Sequence, residues 1–121
     1  MSDPFVSALR RVSHVPGVTG AMIVDADAGV PVLADLREGV QGNAVAALVA
    51  ALYQRTSNAT QAAGLGPLDT FHLEAAGGHV VAAGAGELVV MAIVADDAQL
   101  GLVRIETRRA ALELRSRPEL A

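Results

Sequence analysis

Residues 43–63, NAVAALVAALYQRTSNATQAA, constrain what this chain can fold into more than any other stretch. They are enough for nearly six helical turns, roughly 30 Å at about 1.5 Å per residue. Asn43 can accept from the first free amides and is the expected N-cap. Gly64 can take the left-handed conformation that closes a helix, and Pro67 stops it from resuming. Val45, Leu48, Val49 and Leu52 recur at three- and four-residue steps, and Thr56, Ala59 and Ala63 continue the stripe. That stripe is the face expected to lie on a sheet. The opposite face should be charged, yet Ala44, Ala47, Ala50 and Ala51 occupy it and Arg55 is the segment's single charge. A helix apolar nearly all round is buried nearly all round. In a chain of 121 residues the expected second cover is another copy of the protein.

The rest of the composition narrows the class. The length suits one domain spanning 1–121 with a core that needs no staples. Cysteine is absent, which removes disulfides, thiol nucleophiles and zinc–thiolate sites. Residues 1–25 carry no basic-then-apolar leader pattern, and the longest uncharged run, 39–54, is shorter than the roughly 20 residues of a membrane span. The expectation is a soluble cytoplasmic protein without membrane insertion. A net charge of −4 and three aromatic residues disfavour nucleic acid, which wants a basic surface with stacking rings.

The order of elements follows from turn chemistry and periodicity. Ser2 or Asp3 can cap a first helix, with Pro4 suited to its first position and Phe5, Leu9 and Val12 on one stripe. Residues 19–25 (TGAMIVD) read as a buried strand, 26–29 as a turn and 30–36 as a second strand. Pro31 lacks an amide donor, so that strand should start at or lie on a sheet edge. Residues 70–75 alternate, with Phe71 and Leu73 on one face and His72 and Glu74 on the other. Gly77-Gly78 is a hairpin signal into 79–83, which sets Ala76 opposite His79. Gly84-Ala85-Gly86 turns into 87–95, the strongest strand. Asp96 or Asp97 is the expected cap of a last helix through about Arg115. Its buried stripe is Leu100, Val103, Thr107, Ala110 or Ala111, and Leu114, supported outside by Arg109–Glu113 and Glu113–Arg117 pairs. The order helix-strand-strand-helix-strand-strand-strand-helix makes an α+β protein.

Little in the chain points to chemistry. His72, Glu74 and His79 are the one clustered set that could bind a metal or move protons, and their spacing supplies no third convincing ligand. A polar strip at a strand pair accounts for them. Asp96-Asp97 is accounted for by helix capping, Asp25 and Asp27 by the turn they flank, and Arg104, Arg108 and Arg115 by a solvated helix face. Gly84-x-Gly86 precedes a strand, not a helix N-terminus, so it is not a phosphate loop. Ser7, Ser13, Ser57 and Ser116 have no histidine–carboxylate context. No catalytic residue, metal or cofactor is expected: the chain reads as a binding module, not an enzyme.

Two segments resemble a known family. Gly17-Val-Thr-Gly20-Ala-Met-Ile-Val-Asp25, followed by an Asp–Gly turn, is similar to the opening of the Roadblock/dynein-light-chain superfamily. Residues 95–104, Ala-Asp-Asp-Ala-Gln-Leu-Gly-Leu-Val-Arg, are similar to its closing segment. The Ala-rich middle helix and the Leu65-Gly-Pro-Leu68 connector fit between them, and the likeness spans about 4–116. Ala28, between Asp27 and Gly29, departs from the pattern and implies a longer or bulged first hairpin. The resemblance implies a three-layer α/β/α fold of profilin-like architecture with a five-stranded antiparallel sheet. The middle helix would cover one face and the other two helices the opposite one. It implies a homodimer built on the middle helix and the strand after it, placing Thr70, His72 and Glu74 at the interface with Ala44, Ala47, Ala50 and Ala51. Prokaryotic members resembling the gliding-motility regulator MglB act on Ras-like GTPases, which implies a regulator or scaffold of such a GTPase. Its contacts would lie on the rim of the paired helices, at Gln54, Arg55, Asn58 and Gln61. The alternative is a small-molecule or signal-sensing module of a receptor or kinase system, which would need a cavity with convergent polar groups.

Overall fold

The computed structural model describes residues 3–116. The elements run α1 (Pro4–Ser13), β1 (Val18–Asp25), β2 (Val30–Leu36), α2 (Gly42–Ala62), β3 (Thr70–Ala75), β4 (Gly78–Ala85), β5 (Leu88–Ala95) and α3 (Leu100–Arg115). The strands form one antiparallel sheet in the order β2-β1-β5-β4-β3. Strands β1, β4 and β5 are buried on both faces, which is why they read as continuous apolar runs. The two edge strands carry the polar residues. Pro31 sits on edge strand β2, opposite Val24 and next to the register shift in the ladder, positions where a missing donor is tolerated.

Each sheet face has its own core. On one, Ala21, Ile23, Val81, Ala83, Val90 and Val94 meet Leu9 and Val12 of α1 and Val103, Ala110 and Leu114 of α3. On the other, Met22, Val24, Ala82, Val89 and Met91 meet Ala46, Val49 and Ala50 of α2. The result is the expected three-layer α/β/α arrangement. Among the described residues no helix is long and apolar enough to cross a membrane.

The helix ends follow the capping rules in part. Asp3 Oδ1 accepts from the Phe5 amide at 2.8 Å and Pro4 opens α1. The alternative cap Ser2 lies outside the described residues, as does Arg117 of the expected Glu113–Arg117 pair. At the end of α2 the Gly64 amide reaches Gln61 O at 3.0 Å and the Leu65 amide reaches Thr60 O at 2.9 Å. With Gly64 at φ +80°, this is the Schellman closure that its glycine signals. The start of α2 differs from expectation. Asn43 lies inside the first turn and Gln41 is the N-cap, with no side-chain bond. A Cβ at Gly42 would come within 2.9 Å of Leu36 Cδ1, so the bare backbone there lets the helix begin against β2. Asp96 and Asp97 do not cap α3 either: they sit in the turn before it and Gln99 is the N-cap. Ala98 presses on Gly17, where an added Cβ would stand 2.3 Å from Ala98 Cβ, and the helix begins only after that contact. The expected Arg109–Glu113 pair is replaced by Arg109–Glu106 at 3.0 Å and Glu113–Arg11 at 3.4 Å. The α1–α3 packing brings Arg11 to Glu113 and also within 3.6 Å of Glu106, the carboxylate that Arg109 shares.

Both hairpins that matter for the site depart from the simplest reading. The first has a four-residue turn in which Asp25 Oδ1 accepts from the amides of Asp27 (3.0 Å) and Ala28 (2.9 Å). A register shift between Ile23 and Val24 follows it, which is the bulge that Ala28 implies. In the β3–β4 hairpin the turn residues are Ala76 and Gly77, not Gly77 and Gly78. Gly78 already belongs to β4, paired with Ala75 on one side and Ala95 on the other. Glu74, not Ala76, therefore stands opposite His79.

Candidate protein interface

Tyr53 sets the rotation of α2. It is the bulkiest side chain of the helix, and it lies over Gly84 of β4, where an added Cβ would come 2.2 Å from the Tyr53 hydroxyl oxygen. With Tyr53 facing the sheet, Val49, Ala46, Ala50 and Ser57 are drawn inward. Ala50 is only 3 % exposed and belongs to the core with Met22 and Met91, so its assignment to the outer face is corrected. Small side chains at 46 and 50 let the helix axis approach the sheet, and the turn glycine Gly29 packs beside Ala47 and Ala50.

The same rotation carries Leu48 outward. The alternation of Val45, Leu48, Val49 and Leu52 placed it against the sheet, but it is 71 % exposed. At helical spacing, Ala44, Ala47, Leu48, Ala51, Arg55 and Asn58 all point away from the sheet, and all are exposed. The outer surface of α2 is thus a smooth alanine stripe with one leucine projecting from it, ending in an arginine and an asparagine. Arg55 and Asn58 continue the stripe, whereas Gln54 and Gln61 flank it. Gln54 Nε2 is tied to the first hairpin through Ala26 O at 2.6 Å and Asp27 Oδ1 at 3.3 Å, and Gln61 Nε2 reaches Ser57 Oγ at 3.4 Å. Leu48 was legible once the helical wheel is centred on Tyr53, the one large side chain of the helix that needs the sheet.

Edge strand β3 is the second part of the surface. Thr70 is half-buried, His72 and Glu74 are exposed, and all three project on the α1/α3 side of the sheet. Leu73, on the same face as Phe71, is 41 % exposed on the α2 side. It borders a cleft of about 410 Å³ whose other walls include Val80, Ile93, Thr19 and Arg37. The helix stops short of this end of the sheet, so the cleft is open where β3 has no outer neighbour.

Behind β3, His72 Nε2 lies 2.9 Å from Nδ1 of the nearly buried His79. His79 Nε2 is 3.6 Å from Asp96 Oδ1. Among the described residues no three His, Asp or Glu side chains converge in a metal-binding arrangement. The arginines of α3 are largely spoken for: Arg108 pairs with Asp69 at 3.1 Å, and Arg115 Nη2 donates to Gly84 O. Arg104 faces the shallow groove between α3 and Thr70. No nucleophile–base pair or enclosed polar cavity forms at any of these places, and the arrangement can offer shape and apolar contact.

Tyr53 is the sole tyrosine, and burial raises its hydroxyl pKa above the ordinary 10.0, with Asp69 adding to the rise and Arg115 opposing it. The folded protein therefore holds the phenolic proton at pH values where the unfolded chain has lost it. Stability is complete below pH 10 and falls as pH rises through the folded-state value. Tyrosinate absorbance should appear only above pH 10 in the native protein, and Tyr53→Phe should remove that part of the alkaline destabilisation. An ordinary tyrosine titration in the native state would contradict this.

The fold is shared with proteins of known structure. An uncharacterised protein of Methanocaldococcus jannaschii is 26 % identical over 108 residues, 89 % of this chain and 94 % of its own length. Among solved structures, MglB of Myxococcus xanthus superposes with a TM-score of 0.83 at 18 % identity, covering 92 % of this chain and 91 % of that one. An MglB with a tetrameric arrangement superposes at 0.80 and 21 % identity, covering 95 % and 90 %. The Roadblock/LC7 domain pattern matches residues 5–95. That match takes in α1, the whole five-stranded sheet and the α2 surface, and the chain belongs to the Roadblock/LC7 domain family.

Proposed function

We propose that this protein is a homodimeric, non-catalytic regulator or scaffold for a Ras-like small GTPase. The observation that carries the reading is the outer face of α2, where Leu48 stands 71 % exposed in an alanine stripe. Small side chains permit close helix–helix approach, and a projecting leucine without cover favours association by roughly 2 kcal/mol when buried. At the edge of the sheet, β3 has a strand on one side only. An open edge of this kind invites pairing, and a second copy gives it a closed partner in place of aggregation. Self-association has a counterpart in the MglB of tetrameric arrangement. The interface would hold Ala44, Ala47, Leu48 and Ala51 of α2, with Thr70, His72 and Glu74 on β3.

The GTPase rests on the family resemblance, in which MglB-like prokaryotic members act on Ras-like GTPases. The surface that suits such a partner lies past the alanine-rich half of α2, at Arg55, Asn58 and Gln61. Gln54 fits it less well, being held by the first hairpin. A partner that reads switch loops must bind their GTP- and GDP-ordered forms with different affinity, because only that difference can regulate anything. A two-fold dimer presents its central groove once, so one GTPase per two copies is expected. Calorimetry with a Ras-like GTPase of the same organism, loaded with a GTP analogue or GDP, tests this. Nucleotide-dependent binding at one to two is expected, weakened by Arg55→Ala with Gln61→Ala while the dimer persists. Equal affinity for both forms would reduce the protein to a passive scaffold, and absence of binding would refute the GTPase reading.

A further inference from the structure

We propose that the cleft between the C-terminal half of α3 and the 67–69 connector binds a small aliphatic carboxylate, with its charge held by Arg115 and Tyr53 and its chain against Leu68 and Leu112. The cleft has a volume of about 410 Å³, within the range of about 300–1,000 Å³ typical of small-molecule sites. Tyr53 reaches it from α2, Pro67 and Leu68 from the connector, Gly86 from the β4–β5 turn and Leu112 from α3. Two donors converge there. The Tyr53 hydroxyl oxygen lies so close over Gly84 that an added Cβ would come 2.2 Å from it, and Arg115 Nη2 donates to the Gly84 carbonyl. Burial raises the Tyr53 pKa, Arg115 lowers it and Asp69 raises it, so both charges lie within electrostatic reach of the hydroxyl. The hydroxyl itself makes no hydrogen bond to any described residue. Arg115 spends one of its five N–H groups on Gly84 and has no carboxylate partner among the described residues.

Charge selects the ligand. Arg108 also lines the cleft, but Asp69 stands 3.1 Å from its Nη2 and offsets it. What remains is one cation and one neutral donor, which match a single negative charge. A carboxylate can take an N–H of Arg115 on one oxygen and the Tyr53 O–H on the other. A phosphate dianion would need the second guanidinium, which Asp69 already holds. The remaining walls are apolar. Leu112 is 46 % exposed beside the cleft, and an alkyl chain laid on it and on Leu68 removes apolar surface from water. The cleft shares no residue with the proposed dimer interface or with the surface assigned to a GTPase. Tyr53 faces the sheet, whereas the dimer would use the opposite side of α2, so monomer and dimer should bind alike.

The chain has one tyrosine and no tryptophan, so its intrinsic fluorescence reports on this cleft. Titration of the full chain with octanoate as the probe should change Tyr53 emission saturably at millimolar concentration and shift the amide resonances of residues 84–86 and 112. Octanol, with the same chain length and no charge, should bind at least about tenfold more weakly, and equimolar inorganic phosphate should not displace octanoate. Arg115→Gln, whose amide can still donate to Gly84 O, should weaken octanoate at least about tenfold, whereas Arg104→Gln on the same helix should change it less than about twofold. Tyr53→Phe keeps the ring that packs on Gly84. Followed by amide shifts, with circular dichroism confirming the fold, it should weaken octanoate at least about threefold. Equal affinity for octanol would reduce the cleft to an apolar surface, and displacement by phosphate would make it a phosphate site. Either result, absence of saturation, or unchanged affinity in folded Arg115→Gln or Tyr53→Phe would overturn the proposal.

Discussion

A glutamate at position 51, or in place of Leu48, should raise the dimer dissociation constant by more than about 100-fold, while Arg108→Glu should change it less than about threefold. Both α2 positions lie in the outward stripe, exposed in the single chain and covered in the proposed dimer. In the monomer the substitutions are harmless surface changes of helix-compatible residues. In the dimer each would bury a carboxylate with no cation opposite, since the described α2 has Arg55 as its lone charge. An unpaired charge buried at an interface costs about 3 kcal/mol or more, and about 1.4 kcal/mol is tenfold in affinity. Arg108 is a different case. Its partner Asp69 is half in solvent, and an exposed pair of this kind contributes roughly 0–1 kcal/mol. Light scattering at micromolar concentration should show a species of about 25 kDa for the wild type, twice the 12.3 kDa chain, and for Arg108→Glu. The α2 variants should run near 12.3 kDa with unchanged circular dichroism. Equal effects at all three positions would place the interface on another helix. A wild-type species of 12.3 kDa would remove the dimer altogether.

What the sequence reveals of this fold depends on whether a signal is local. Strands β1 and β5 are apolar without interruption because both their faces are covered, and their limits fall within a residue of expectation. Gly64 and Pro31 specify their own backbone constraints, so the closure of α2 and the edge position of β2 followed directly. The failures are rotations, registers, caps and ion pairs, each settled by what lies opposite. In α2, with apolar side chains on every face, periodicity alone could not choose between Leu48 and Ala50 as the inward residue. The choice was made by Tyr53 needing the bare backbone of Gly84. Asp96 and Asp97 were sound capping candidates displaced by the contact of Ala98 with Gly17. Strand β3 lies at 70–75 as expected, but its cross-strand partners differ by two residues because two adjacent glycines offer two possible turns.

Those two glycines give the second large expected effect. Gly78→Ala should destabilise the fold by about 3 kcal/mol, and Gly77→Ala by less than about 0.5 kcal/mol, although the positions are neighbours in one hairpin. Gly77 is exposed, and an added Cβ there meets nothing within 4 Å. Gly78 sits at φ +151°, a conformation side chains avoid, and its added Cβ would stand 2.3 Å from the carbonyl oxygen of Val94. That oxygen belongs to the central strand β5, which is paired on both sides and cannot retreat without disturbing β1. Backbone strain of about 1–3 kcal/mol and overpacking of similar size therefore add at one residue. With a urea slope of about 1–3 kcal/mol/M for a protein of this size, the midpoint should fall by roughly 1–3 M for Gly78→Ala and by less than about 0.5 M for Gly77→Ala. The consequence reaches the site as well. The alternative turn, with Gly77 and Gly78 in the loop, slips β3 against β4 by two residues, which sets Ala76 in place of Glu74 opposite His79 and keeps every side chain on its own face. His72 would then stand opposite Ala83, away from His79, and Leu73 would move along the same face from Val80 to Ala82. Equal midpoints for the two alanine variants would mean that the Ala75–Gly78 pairing does not exist in solution, and the edge on which both the interface and the histidine contact depend would have to be redrawn.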